Sequence, residues 1–302
     1  MSASSYIGRF APTPSGPLHF GSLVTALASW LDARAAQGRW YVRIEDIDPP
    51  REQPGAADHI LRTLEGFGLT WDGPVLYQHN RGEAYQAALD QLLAQHDAFA
   101  CSCSRKTLAG HSVYPGYCHH GPQHPEQPLA IRLKVDPSVW VCWQDRLQGY
   151  QRHCLGHYGD VVIRRKDKLW AYQLAVVVDD AAQGITDIVR GLDLLVSTPW
   201  QQWLQHGLQQ PQPRYAHLPL VLAPNGQKLS KQNHAPAIDP QQAFPLLWQA
   251  LNMLGQPLPD QTPCHIEDLL SYAVDHWDPT PLVGLQRLSG GDASSSTSTH
   301  SR

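Results

Sequence analysis

The stretch Arg9-Phe-Ala-Pro-Thr-Pro-Ser-Gly-Pro-Leu-His19-Phe-Gly21-Ser22 joins a short apolar segment at 6–10 to a run in which Phe20, Leu23, Val24, Leu27 and Leu31 recur at helical spacing. Beyond that run Trp40, Val42 and Ile44 alternate with Tyr41, Arg43 and Glu45. Strand, helix and strand in this order predict a parallel pair joined by a right-handed crossover. The turn between the first strand and the helix is where an open parallel sheet places its ligands. Gly16 and Gly21 let a ligand approach the backbone closely, the helix N-terminus offers free N–H groups, and His19 is a donor aimed the same way, so phosphate is the natural guest. Taken alone, this segment reads more simply as a Pro/Gly-rich turn with a satisfied histidine.

Outward from there, helical patterns at 57–67, with Ile60, Leu61, Leu64 and Phe67 on one face, and at 83–95 make the first hundred or so residues read as half of a doubly wound α/β domain. From 100 to 157 the texture turns to cysteine, histidine, proline and glycine, an insertion held by something other than a large core. Regular pattern returns at 161–165, with a polar turn at 166–168 and an apolar run at 169–178. A helix at 198–208 and a strand at 218–222 complete the sheet. Residues after 236 read as helical, and 289–302 is a Ser/Thr/Gly tail expected to be disordered.

The chain has 302 residues, enough for a multi-domain enzyme. Its longest apolar runs, such as 174–178, fall far short of the roughly 20 residues of a membrane span, and no apolar signal core follows Met1, so a cytoplasmic protein with no membrane partner is expected. The formal net charge of −4 weighs against a nucleic-acid partner. The basic group Arg164, Arg165, Lys166 and Lys168 either grips a polyanion locally or is a solvated hairpin tip.

Two further segments carry chemistry. Pro224-Asn-Gly-Gln-Lys228-Leu-Ser-Lys231-Gln232-Asn233 sets two ammonium groups beside a glycine turn, which suits charge developing on a triphosphate, and equally suits an Asn-Gly turn with surface lysines. Cys101-Ser-Cys103 and Tyr114-Pro-Gly-Tyr117-Cys118-His119-His120 concentrate zinc-type ligands in an irregular segment. Its thiols leave a fourth place for which chemistry nominates His111, His119 or His120; unliganded cysteines remain the alternative. Cys142, Cys154 and Cys264 are expected to be buried small hydrophobes.

Taken together, roughly two hundred residues apart, His19-Phe-Gly-Ser22 and Lys228-Leu-Ser-Lys231-Gln232 resemble the His-Ile-Gly-His and Lys-Met-Ser-Lys-Ser signatures of class I aminoacyl-tRNA synthetases. The fuller block from Arg9, with Arg43-Ile-Glu-Asp-Ile-Asp48, resembles the glutamyl-tRNA synthetase group. Ser22 and Gln232 are the departures. The resemblance implies an ATP-dependent ligase in which His19, Lys228 and Lys231 are catalytic and His19, Gly21, Ser22, Lys228 and Lys231 hold ATP with Mg2+. It places L-glutamate on Arg9, Phe10, Ala11, Pro12, Thr13, Glu45, Tyr172 and Arg190, with Glu45 on the α-amino group. A core aromatic at Tyr172 and a surface or ion-paired arginine at Arg190 are the bland alternatives. The segments 170–180 and 184–193 resemble the family's substrate-contacting strands.

The cysteine segment resembles the zinc insertion of a short glutamyl-tRNA synthetase paralogue, which implies one structural Zn2+ on Cys101, Cys103, Cys118 and Tyr114. Roughly seventy residues follow Lys231, leaving no room for an anticodon-binding domain, a further likeness to that short family, whose members esterify glutamate to queuosine in the anticodon of tRNA(Asp). The implied partners are ATP, L-glutamate and queuosine-containing tRNA(Asp), and a monomer is expected. The expected fold is α/β: a Rossmann-type doubly wound parallel sheet with a zinc-binding insertion and a small helical C-terminal segment. Its parts are the first half of the catalytic domain at 1–99, the insertion at 100–157, the second half with the lysine loop at 158–235, a helical stem-contact segment at 236–288 and a disordered tail at 289–302. A truncated glutamyl-tRNA synthetase charging a tRNA 3′ end, a small-carboxylate nucleotidyltransferase and a catalytically silent RNA-binding paralogue are the rival readings.

Overall fold

The computed structural model describes residues 6–222 and 236–289. Lys228, Lys231 and Gln232, and the tail from 290 onward, lie outside the described residues.

The first sheet is parallel and grows from the N-terminus: β1 (Ile7–Phe10) pairs with β2 (Arg39–Ile44), which pairs with β3 (Leu76–Tyr77). Helix α1 (Phe20–Ala35) makes the crossover, its Ala-rich body burying Leu23, Val24, Leu27 and Leu31 against the sheet. α2 (Ala56–Gly66) and α3 (Gly82–Ala94) follow as amphipathic helices, Ile60 and Leu64 facing one core and Tyr85, Leu89 and Leu92 another. A small antiparallel sheet comes next, made of β4 (Ala98–Cys101), β5 (Ala130–Leu133) and, beyond the hairpin described next, β8 (Val162–Arg164).

Between β5 and β8 the structure departs from the expected irregular insertion. Residues 140–154 form a regular hairpin, β6 (Trp140–Asp145) and β7 (Gly149–Cys154). β6 alternates strictly: Trp140, Cys142 and Gln144 face out while Val141, Trp143 and Asp145 face in. That is the period-2 signature of a half-buried strand. Cys142 is therefore exposed, as is Cys264, and Cys154 is half-buried, so the expectation of buried cysteines fails at all three positions.

The run 169–178, with Val176, Val177 and Val178 in sequence, reads as a strand, but only Trp170 near its start pairs, in an isolated bridge with Arg164, and from Tyr172 on it is helix, α4 (Tyr172–Ala182). Strand propensity is overridden by tertiary demand. Residues 173–180 of the helix are buried, and Asp179 and Asp180 at its end are anchored on different neighbours. Asp179 accepts from Gln78, Arg81 and Tyr85, while Asp180 accepts from Arg9 and Arg43. Helical turns let consecutive acids reach both groups; a strand would point them to opposite faces.

β9 (Asp187–Gly191), α5 (Thr198–Gly207) and β10 (Arg214–Leu218) continue the main sheet, in the order β7-β6-β10-β9. The strand expected at 218–222 is thus split. β10 pairs with β9 and β6, whereas β11 (Leu220–Leu222) turns away to pair with the late strand β12 (Arg287–Ser289). The Thr186 N–H donates to Ile7 O at 2.9 Å, tying the start of β9 to β1 and joining the parallel first sheet to the parallel edge of the mixed second sheet. α6 (Ala243–Met253) and α7 (Ile266–Asp275) pack their apolar faces on the core that α1 also lines. No described helix is long and apolar enough to cross a membrane.

Candidate active site

The turn after β1 opens on a cleft of about 280 Å³. Phe10, Pro12, Thr13, His19, Gly21 and Ser22 line one side, and Gly191, Asp193 and Leu220 the other. Gly16 in this turn has φ of 132°, a conformation L side chains rarely adopt, and a Cβ there would meet Gln53 Oε1 at 3.2 Å. The Glu45 N–H donates to Pro12 O at 3.0 Å, locking the turn to the end of β2. His19 is the N-cap of α1. Its Nδ1 accepts the Ser22 N–H at 3.2 Å, so the neutral ring carries its proton on Nε2, 3.1 Å from Ser22 Oγ. Leu220 and Val221, just before the undescribed lysine segment, line the cleft, and Ala237, just after it, bridges His19.

Beside the cleft lie buried charges. Arg9 is 4% exposed and its Nε donates to Asp180 Oδ1 at 3.1 Å; Arg43, fully buried, donates to the same oxygen at 2.7 Å. Arg43 also reaches Glu45 at 3.4 Å. Burial pushes the Glu45 carboxyl above its ordinary range, while Arg43 and Arg9 pull it down. Arg190, for which the bland alternative is a surface or ion-paired arginine, is 3% exposed. It donates to His217 Nε2 at 3.0 Å, Gln201 Oε1 at 2.8 Å and Thr198 Oγ1 at 2.8 Å, and among the described residues pairs with no carboxylate. Tyr172 is half-buried at the start of α4, where its hydroxyl feels the charges of Arg190, Glu45 and Arg9. A second small hollow, lined by Thr13, Glu45, Asp48, Arg165 and Tyr172, adjoins this ground. Ala11 is half-buried in the turn.

The structure therefore brings together Arg9, Phe10, Pro12, Thr13, His19, Gly21, Ser22, Glu45, Tyr172 and Arg190. Sequence reasoning passed over Asp180, Asp145 and His217, whose contacts span β1, β2, β6 and β10 and leave no local pattern. Three of the basic group are engaged within the fold: Arg164 stacks 3.5 Å over the Trp170 ring, Arg165 pairs with Asp48 at 3.2 Å, and Lys166 donates to Ser102 O at 2.6 Å, while Lys168 is exposed.

Away from the cleft, the Cys101, Cys103 and Cys118 sulfurs lie within 4.8 Å of one another and can hold a metal ion. Tyr114 Oη is 3.4 Å from Cys101 Sγ and 3.7 Å from Cys103 Sγ, and accepts the Cys118 N–H at 2.9 Å. The histidines weighed for the fourth place point elsewhere: His119 to Asp160 at 2.5 Å, His111 to the Tyr117 hydroxyl at 3.2 Å, with His120 exposed. Burial alone would raise the Cys118 thiol, but hydrogen bonds from Tyr114 and the backbone at Gln123 and Ser102 bring it down to about 6. Thiolate is the form that ligates metal.

A cleft at the first βα turn of an open parallel sheet, with buried arginines beside it, is the ligand-site arrangement of an α/β enzyme, and likeness to known proteins places it among the class I tRNA synthetases. The pattern of the class I tRNA synthetases (E and Q), catalytic domain, matches residues 7–113 and 119–243. A glutamate tRNA ligase of Elizabethkingia meningosepticum shares the fold at a TM-score of 0.80 and 22% identity, over 95% of this chain and 67% of that one. The glutamate-tRNA synthetase of Elizabethkingia anophelis does so at 0.81 and 24%, over 95% and 68%. The glutamyl-Q tRNA(Asp) synthetase of Pseudomonas entomophila is 54% identical over 94% of this chain and 96% of its own. That of Ectopseudomonas mendocina is 55% identical over 91% and 94%. The chain belongs to the class I tRNA synthetases and, within them, to the glutamyl-Q tRNA(Asp) synthetase family.

Proposed function

We propose that the protein activates L-glutamate with ATP and Mg2+ and transfers the glutamyl group to queuosine in the anticodon of tRNA(Asp). The observation that carries this reading is a buried arginine, Arg190, that has no carboxylate partner among the described residues and lies beside a cleft built at the N-terminus of α1. The cleft suits the triphosphate, with His19, Gly21, Ser22, Lys228 and Lys231 as its ligands and the helix N–H groups facing anionic oxygens. Glu45 takes the α-ammonium group; Arg190, with Arg9 and Tyr172 around it, takes the side-chain carboxylate; residues 10–13 form the wall. A glutamate carboxylate oxygen attacks the α-phosphorus and pyrophosphate leaves. A hydroxyl of the queuosine diol then attacks the mixed anhydride, and AMP leaves. Catalysis is positioning and charge stabilisation by His19, Lys228 and Lys231, with no side-chain nucleophile.

The donor set at Cys101, Cys103, Cys118 and Tyr114 suits one structural zinc, which would close a segment with little core of its own. The domain plan expected at 1–99, 100–157, 158–235, 236–288 and 289–302, with a stem-contacting helical part, and a monomer working in the cytoplasm are parts of the same proposal. ATP–pyrophosphate exchange by the purified full chain tests the activation step: exchange driven by glutamate and not by glutamine or aspartate supports it, and the absence of glutamate-driven exchange refutes it.

A further inference from the structure

Arg190 differs from the other arginines of the site. Arg9 and Arg43 are ion-paired with Asp180, and Arg43 with Glu45 as well, whereas among the described residues the partners of Arg190 are a histidine, an amide oxygen and a hydroxyl. Burying an uncompensated charge is costly, so such a guanidinium is stable when an anion completes it. Each terminal nitrogen keeps one further N–H for that anion.

The partner that makes this arrangement possible is His217, fully buried at 0% exposure. Because Arg190 Nε–H donates to His217 Nε2, that nitrogen carries no proton. The single ring proton sits on Nδ1 and is donated to Asp145 Oδ2 at 2.5 Å. Asp145 Oδ1 is held by the N–H groups of Leu147 at 3.1 Å, Gln148 at 2.9 Å and His217 at 3.1 Å. The remaining neighbours are the Thr198 hydroxyl at 3.3 Å from Nε2 and the Tyr215 ring, stacked 5.8 Å away. The Asp145 charge is therefore kept one residue removed from Arg190. On the other side Gln201 Nε2 donates to Gln173 Oε1 at 2.9 Å, which fixes the Gln201 oxygen toward Arg190. A carboxylate in place of His217 would pair with Arg190 as Asp180 pairs with Arg9, and a charged imidazolium would repel it.

We infer that His217, held by Asp145 with its proton on Nδ1, is a positioning residue that aims Arg190 and leaves it without a counterion, so that the site prefers a side-chain carboxylate to its amide. This rests on the proposed glutamate site. His217→Asn keeps an amide N–H for Asp145 but offers nothing at the Nε2 position, whereas His217→Gln reaches that position with an amide oxygen. In glutamate-driven pyrophosphate exchange, His217→Asn raises KM for glutamate by about tenfold, the equivalent of one charge-assisted hydrogen bond. KM for ATP stays within about twofold, the preference for glutamate over glutamine falls by a similar factor, and His217→Gln recovers most of both. An unchanged glutamate KM in His217→Asn, or an equal loss of kcat and both KM values in the two variants, overturns the inference while leaving the proposed function standing. No glutamate-driven exchange by the wild-type chain overturns both. If the His217 variants fail to fold, Gln201→Glu sets a carboxylate against Arg190 and must raise the glutamate KM at constant ATP KM; no change there overturns the inference equally.

Discussion

Ser22 engages both ring nitrogens of His19, its N–H donating to Nδ1 at 3.2 Å and its hydroxyl oxygen lying 3.1 Å from Nε2. The residue that departs from the second histidine of the family signature thus orients the first one. His19→Ala removes a donor from the cleft and should lower the rate of glutamate activation by about 10²-fold. Ser22→Ala keeps the backbone bond and loses one hydroxyl contact of about 1 kcal/mol, so a loss of roughly fivefold is expected. Single-turnover formation of glutamyl-adenylate measures both; equal losses in the two variants would contradict this division of roles.

Asp180 is the shared anion of Arg9 and Arg43, and Arg43 is fully buried. Asp180→Asn leaves those guanidinium groups under-compensated and should destabilise the fold by about 3–5 kcal/mol, read as a lower urea midpoint. The pH dependence has a definite sign. Burial opposes the charge of Asp180, but Arg43 and Arg9 hold its carboxyl below the ordinary carboxylate value. Its contribution is present at neutral pH and is lost as pH falls below about 4 through the folded-state value. The variant should lack that part of the acid limb; an acid limb identical to wild type would count against the network.

His217 gives the opposite kind of signature. Burial, aided by Arg190, lowers its ring to about 4 despite Asp145. The unfolded chain takes up this proton near pH 6.5 and the folded chain does so only near 4, so stability falls as pH drops through that window. Denaturation of the wild type and His217→Gln at pH 7.5 and pH 5 compares the two: the wild type should lose more between those values. Equal losses would mean that the imidazole is not held neutral.

The Cys101, Cys103 and Cys118 sulfurs, within 4.8 Å of one another and with Tyr114 Oη against two of them, should retain about one zinc per chain through purification. Cys103→Ser should lower that content, and a chelator should lower the melting temperature by uncoupling the segment from its metal. Emission spectroscopy on the purified chain reads the content. A metal-free protein with unchanged melting would remove zinc from the account.

Much of the cleft was legible in sequence because its residues are contiguous. The run from Arg9 to Ser22 holds a strand end, a glycine turn and a helix cap in one segment, and Glu45 sits at the end of a clearly alternating strand. Residues 140–145 carried an equally plain alternation, obscured by the proline- and cysteine-rich stretch before it. The valine run of α4 misled because local strand propensity is weaker than the tertiary burial of residues 173–180 as a helix. Asp145 and His217 left no trace: they lie 72 positions apart, and their pairing exists only once β6 lies beside β10.

Transfer of labelled glutamate by the purified chain, with ATP and Mg2+, onto tRNA(Asp) containing or lacking queuosine and onto tRNA(Glu) tests the central claim most directly. The account predicts label on queuosine-containing tRNA(Asp) alone, released by mild base; label on tRNA(Glu), or on tRNA(Asp) regardless of queuosine, would contradict it.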